Sequence, residues 1–325
     1  MASEDSPVVA GQGSEDDRAD DGGASLVGED TRLLTARIAQ RLRGAGLACE
    51  IVDLVPTPAT VLRRDRIIIL LALTLLTTLA WSYLLWLSAD MGMGGMDMTG
   101  FRMIPAGMGL MISADLPWRA MEFAFVFAMW IVMMIGMMTP SAAPMFLMYA
   151  RIGRQTETQS GPLVATVWFA VGYFLVWVSF ALLATILQWA LDRTALLDFT
   201  MATTSNVLGG LVFVAAGLYQ WTSLNESCLT QCQRPFEFVM RHGGYRRDAP
   251  GCVMLGFRHG AYCVGCCWTL MALLFVGGVM NVVWIVLLAL LAFLERVTSM
   301  GRLFARVAGI VLIAAGAWLF SMGMS

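Results

Sequence analysis

Seven apolar stretches, at about residues 67–88, 119–149, 162–189, 204–222, 259–278, 280–295 and 304–322, divide most of this chain into lengths close to those of membrane-crossing helices. A crossing helix needs roughly 20 apolar residues, because the hydrocarbon layer is about 30 Å thick. Every backbone polar group at that depth must also be bonded within the segment. The expected fold is therefore all-α, a polytopic transmembrane helical bundle of about seven spans. Composition agrees, with 58% hydrophobic and 14% charged residues and a mean hydropathy of +0.71, values foreign to a soluble domain. A net charge of −2 gives no basic footprint for nucleic acid.

Arginine placement orients the bundle. Arg63, Arg64 and Arg66 precede the first stretch, and Arg151 and Arg154 follow the second. Arg234, Arg241, Arg246, Arg247 and Arg258 fill the fourth connection; Arg296, Arg302 and Arg306 fill the sixth. The opposite connections hold only Arg102, Arg119 and Arg193. Basic residues stay on the cytoplasmic side, so the N-terminus is expected inside and the C-terminus outside, in a multi-pass protein of the cell (plasma or inner) membrane. The second stretch is long and contains Pro140 and Pro144, which predict a kink. Only a turn around Gly277-Gly278-Val279-Met280-Asn281 separates the fifth stretch from the sixth. Gly309, Gly316 and Gly323 recur every seven residues in the last, a spacing that predicts close helix packing.

Residues 1–60 read as a separate cytoplasmic segment, and residues 61–325 as the transmembrane domain. Nine acids (Glu4, Asp5, Glu15, Asp16, Asp17, Asp20, Asp21, Glu29, Asp30) stand against Arg18 in residues 1–30. That composition predicts a disordered acidic tail, and it lacks the basic and apolar regions of a signal peptide. Residues 31–48 form an amphipathic pattern, with Leu33, Leu34, Ile38 and Leu42 on one side and Arg32, Arg37, Arg41 and Arg43 supplying charge. This helix either lies on anionic lipid or is a plain tail helix; Pro56 and Pro58 end it.

The chemistry is concentrated elsewhere. Six of the seven cysteines and both histidines fall between residues 228 and 267. Residues three and four apart share a helix face, so His259, Cys263 and Cys266/Cys267 form one stripe, and Cys228 and Cys232 form a second pair. Soft thiolate and imidazole donors in this density point to Cu(I), or to zinc. The arginine pattern places them on the cytoplasmic side, where thiols stay reduced and a structural disulfide is disfavoured. Cys263, Cys266 and Cys267 are the expected core of the site, with Cys228 and Cys232 next and His259 and Cys252 peripheral. His242 reads as solvent-facing.

Methionine is abundant, with 24 in the chain. Met91, Met93, Met96, Met98 and Met103 alternate with Gly and Asp in an outer loop, which either captures copper through thioethers or is an adaptable interfacial segment. In the second stretch, Met129, Met133 and Met137, and Met134 and Met138, are spaced by four. Packing explains most of these. The inner half of this stretch, however, shares the depth of Cys263–Cys267, so Met137 and Met138 join the candidate ligands. Pro140 frees a carbonyl there, and Thr139 and Ser141 add hydroxyls.

Several motifs carry a family resemblance. They are Met137–Pro144 (M-M-T-P-S-A-A-P), Gly172-Tyr173, Tyr219-Gln220, Cys228–Pro235 (C-L-T-Q-C-Q-R-P), His259–Met271 (H-G-A-Y-C-V-G-C-C-W-T-L-M) and Phe275–Trp284 with Glu295. Over roughly residues 118–322 the chain resembles a family of bacterial and archaeal integral membrane proteins described as predicted metal-binding proteins, with a domain of unknown function. The resemblance implies metal binding and no defined activity. The family tends to place Pro-Leu-Lys before its first cysteine, where this chain has Ser223-Leu224-Asn225; a cation that would favour a thiolate is missing there.

The expected function is acquisition, transfer or delivery of a soft metal within the membrane, with a metal donor or acceptor protein and the lipid bilayer as partners; an oligomer is compatible. The rival reading is a membrane thiol–disulfide oxidoreductase using Cys263 and Cys266, and a third is a structural subunit. No transmembrane acid pair, phosphate loop or Ser/His/Asp arrangement announces a pump, ATPase or hydrolase.

Overall fold

A computed structural model of the chain describes residues 58–92, 101–103, 111–113, 117–156, 162–194, 203 and 205–324. The acidic tail, the 31–48 segment and Met93, Met96 and Met98 lie outside the described residues. The chain separates into two units, Met1–Val61 and Leu62–Ser325, and the architecture below is that of the second.

Ten helices account for nearly all of what is described: α1 (Pro58–Gly92), α2 (Ala120–Thr156), α3 (Pro162–Arg193), α4 (Asn206–Tyr219), α5 (Ser223–Gln233), α6 (Pro235–Arg241), α7 (Ala249–Ala272), α8 (Leu274–Gly277), α9 (Val282–Val297) and α10 (Gly301–Met324). A short antiparallel ribbon, β1 (Phe101–Met103) with β2 (Met111–Ser113), pairs Phe101 with Ser113 in a region read from sequence as loop. Met103 therefore sits in a strand.

Five helices are long and apolar enough to cross a membrane: α1, α2, α3, α7 with its extension to Gly277, and α10. The pair α4 and α5 makes a sixth only if its 64° bend belongs to one crossing. The expected sixth stretch folds as the separate helix α9, but its 16 residues reach only about 24 Å at 1.5 Å per residue. That falls short of the hydrocarbon thickness, so seven full-length crossings are not seen. The break before α9 is built by Gly278, which adopts φ +91°, and by Asn281, whose side chain accepts from the Trp284 N–H at 3.2 Å.

Helix α7 starts ten residues earlier than its apolar stretch suggests. Asp248 caps it by accepting from the Gly251 N–H at 2.7 Å, and Pro250 occupies the first turn, where its missing N–H costs nothing. Cys252 and Arg258 thereby become helical rather than loop residues.

Two helix pairs approach at backbone distance. In α3 against α7, a Cβ on Gly256 would run into the Phe169 carbonyl, and one on Gly172 into the Val253 carbonyl. In α4 against α10, Gly210 meets Gly316, Gly217 meets Gly309, and Gly323 meets Val207. The glycine heptad of the last helix is thus a packing seam, as its spacing predicts.

Neither Pro140 nor Pro144 interrupts α2. Pro140 leaves the Gly136 carbonyl without its helical N–H. The indole Nε1 of Trp81, on α1, donates to that carbonyl at 3.2 Å. Met129, Met133, Met134, Met137, Met138 and Met145 are all buried in the core.

Candidate metal centre

The cysteine site is built on two helices, α5 and α7, and enclosed by residues of α2, α3, α4 and α9. On α7, His259, Cys263, Cys266 and Cys267 are all buried, on the one face their spacing defines. Helix α5 brings Cys228 and Cys232 against that face. The approach is close enough that a Cβ on Gly265 would stand 2.9 Å from the Cys228 sulfur. Tyr219, at the end of α4, locks the junction by donating its hydroxyl to the Gly265 carbonyl at 2.5 Å.

The thiols are engaged with one another. Cys232 of α5 lies close to both Cys263 and Cys266. Cys266 and Cys267 each donate to the Cys263 carbonyl at 3.1 Å. Tyr173 of α3 places its hydroxyl 3.1 Å from the Cys263 sulfur. The six cysteines of residues 228–267 are all free thiols. Although three of the sulfurs are within hydrogen-bonding reach of each other, no group of three or more His, Cys, Asp or Glu among the described residues is disposed as a metal cage. The arrangement gathers soft donors on two facing helices.

Sequence reasoning missed the residue at the centre. Arg296, counted above as a connection arginine that fixes orientation, lies in the last turn of α9 and is 5% exposed. Its guanidinium donates to the Cys263 carbonyl at 3.0 Å, to the Ser141 hydroxyl at 2.8 Å and to the Met138 sulfur at 3.2 Å. The Cys266 sulfur lies close by. The ion pairs among the described residues lie elsewhere, at Arg154–Asp65, Arg234–Glu237, Arg241–Glu237 and Arg302–Glu226. The adjacent Glu295 is also buried, but its carboxylate is turned to Gln220, whose Nε2 donates at 2.9 Å. Four cysteines, Cys232, Cys263, Cys266 and Cys267, lie within electrostatic reach of the guanidinium.

The remaining candidates divide. Met138 reaches the site through Arg296, as the shared depth of α2 and α7 implied, while Met137 is buried in the hydrophobic core. His259 sits in an aromatic box, with ring centroids at 5.1 Å from Phe238, 5.8 Å from Tyr173 and 6.0 Å from Phe169. Its Nδ1 is buried without a hydrogen-bond partner. Cys252 is about three turns of α7 from Cys263, bonded to the Tyr149 hydroxyl at 3.4 Å and to the Arg246 carbonyl at 3.3 Å. His242 is held on α6 by its Nδ1 contact of 2.8 Å to the Phe238 carbonyl.

No curated protein and no solved structure matches the chain. A family model described as copper chaperone, PpoB2, matches residues 127–319. The matched span contains α3 to α9 entire and every cysteine of the site. Because it covers more than half of the chain, the protein belongs to the PpoB2 copper chaperone family.

Proposed function

We propose that this protein carries copper as cargo at the membrane, taking Cu(I) into the cysteine cluster of α5 and α7 and releasing it to an acceptor protein. The observation that carries the reading is Arg296. A buried guanidinium in an apolar helical bundle is costly unless an opposite charge is close, and its donors go to a thiol-bearing residue's carbonyl, a hydroxyl and a sulfur, while the nearby Glu295 carboxylate is bonded to Gln220. Two thiols that release their protons to water and bind one Cu(I) leave a complex of charge −1. One arginine neutralises it. Soft sulfur donors favour the monovalent ion, and the family assignment supports copper over redox cycling of Cys263 and Cys266.

Cys232, Cys263 and Cys266 are the principal donors in this reading, because α5 brings Cys232 close to the two thiols of α7. Cys267 and Cys228 stand beside them as exchange partners. Met138 offers a thioether once its contact with Arg296 loosens, and His259 is the outlying candidate whose unpaired ring nitrogen faces the same interior. The proposed setting is a multi-pass protein of the cell membrane, with this cluster toward the cytoplasm.

The deciding experiment is copper analysis of the full chain, purified anaerobically under reducing conditions and challenged with a Cu(I) chelator. The parent should retain copper. The triple variant Cys263→Ser/Cys266→Ser/Cys267→Ser should retain none while keeping its helical circular dichroism. A folded triple variant with full copper content would refute the assignment.

A further inference from the structure

A second polar site lies at the other side of α2, where its C-terminal end meets the start of α1. A cavity of about 620 Å³ opens there, lined by Asp65, Arg66, Arg151 and Arg154 at one end and by Ile69, Pro144, Leu147 and Met148 at the other. Asp65 is consumed by Arg154, which binds it through Nε at 2.9 Å and through Nη2. Arg66 and Arg151 are exposed and have no carboxylate partner among the described residues. The cavity thus carries two uncompensated positive charges.

Its shape is that of an amphiphile. From Arg154 to Pro144 is ten residues of α2, about 15 Å along the helix axis. The charged residues lie toward the C-terminal end of α2, and the apolar ones line the part nearer the middle of that helix. Basic pockets between apolar helices suit anionic headgroups, and the apolar wall suits the chain below such a headgroup. We propose that this cavity is a binding site for an anionic phospholipid, its phosphate between Arg66 and Arg151 and an acyl segment against Ile69, Leu147 and Met148. The residues are distinct from the thiol site, so the inference stands apart from the copper reading.

Native mass spectrometry of the full chain, released from nanodiscs of mixed phosphatidylglycerol and phosphatidylcholine, tests it. The parent should retain phosphatidylglycerol preferentially. Arg66→Gln/Arg151→Gln should lower that preference about 30-fold, on the basis of roughly 1 kcal/mol for each basic residue near an anionic lipid. Arg66→Lys/Arg151→Lys should keep most of it, which separates charge from folding. Excess inorganic phosphate should leave the lipid in place. No preference in the parent, an undiminished preference in the Gln variant, or displacement by inorganic phosphate would each overturn the proposal, the last by reassigning the site to a free anion.

Discussion

Arg154 and Arg296 both sit in the last turns of apolar helices, and their surroundings answer the same charge in different ways. Arg154 keeps about a quarter of its side chain in solvent and pairs with Asp65, a conventional ion pair that ties α2 to α1. Arg296 is nearly inaccessible, and its donors go to a carbonyl, a hydroxyl and sulfur. A half-wet arginine with a carboxylate contributes modestly to stability. A dry one surrounded by thiols fixes the charge that its surroundings must carry. The difference teaches that the buried cation, more than the cysteines by themselves, marks the chemistry of this bundle.

The sharpest way to break that comparison is Arg296→Gln. Stranding one member of a buried charge pair costs roughly 3–5 kcal/mol, so Cu(I) affinity measured by chelator competition should fall roughly 10²–10⁴-fold. Arg296→Lys should recover part of the loss, since it restores charge without the forked geometry. Parent-like affinity in Arg296→Gln would erase the distinction between the two arginines. A smaller effect is expected for Tyr173→Phe. Its hydroxyl contact with Cys263 is worth about 1 kcal/mol, so copper release should quicken about fivefold, with no change in stoichiometry. Glu295→Gln asks whether the neighbouring carboxylate, instead of the thiols, balances Arg296. Copper affinity should change less than about threefold, under 1 kcal/mol; a loss matching that of Arg296→Gln would transfer the counter-charge to Glu295. Smallest on copper is Asp65→Asn, which should lower thermal stability by about 1 kcal/mol and leave copper affinity untouched. A copper defect there would mean that the two ends of α2 are coupled.

Much of the site was legible from spacing. The α7 cysteines fall on one buried face because i, i+3 and i+4 positions must, and Cys228 and Cys232 join them through a short helix. The glycine heptad of α10 was legible for the same reason. Arg296 was not. Counting arginines outside apolar stretches treats any arginine just beyond the last aliphatic residue as a loop cation, but α9 continues two residues past Glu295, to Val297. What turns Arg296 inward is the packing of α9 on α2 and α7, a long-range fact with no local signature. Tyr173 and Ser141 were visible as motif residues, but their contacts join positions 90 and 155 residues apart in sequence. The early start of α7 had a readable signal, the Asp248-Ala249-Pro250 cap, which the hydropathy boundary obscured. The span count failed at α9 because apolarity was judged without length.

The bond from Trp81 to the Gly136 carbonyl bears on where this family's fold is self-sufficient. The family match begins at residue 127, beyond α1 and inside α2, yet the matched part of α2 has an acceptor satisfied by an α1 indole. An acceptor facing hydrocarbon with no donor costs several kcal/mol. A chain trimmed to the matched residues would therefore keep the cysteines of the site and lose the donor to a carbonyl two residues from Met138. Similarity in sequence and independence in folding have different borders here, and α1 lies between them.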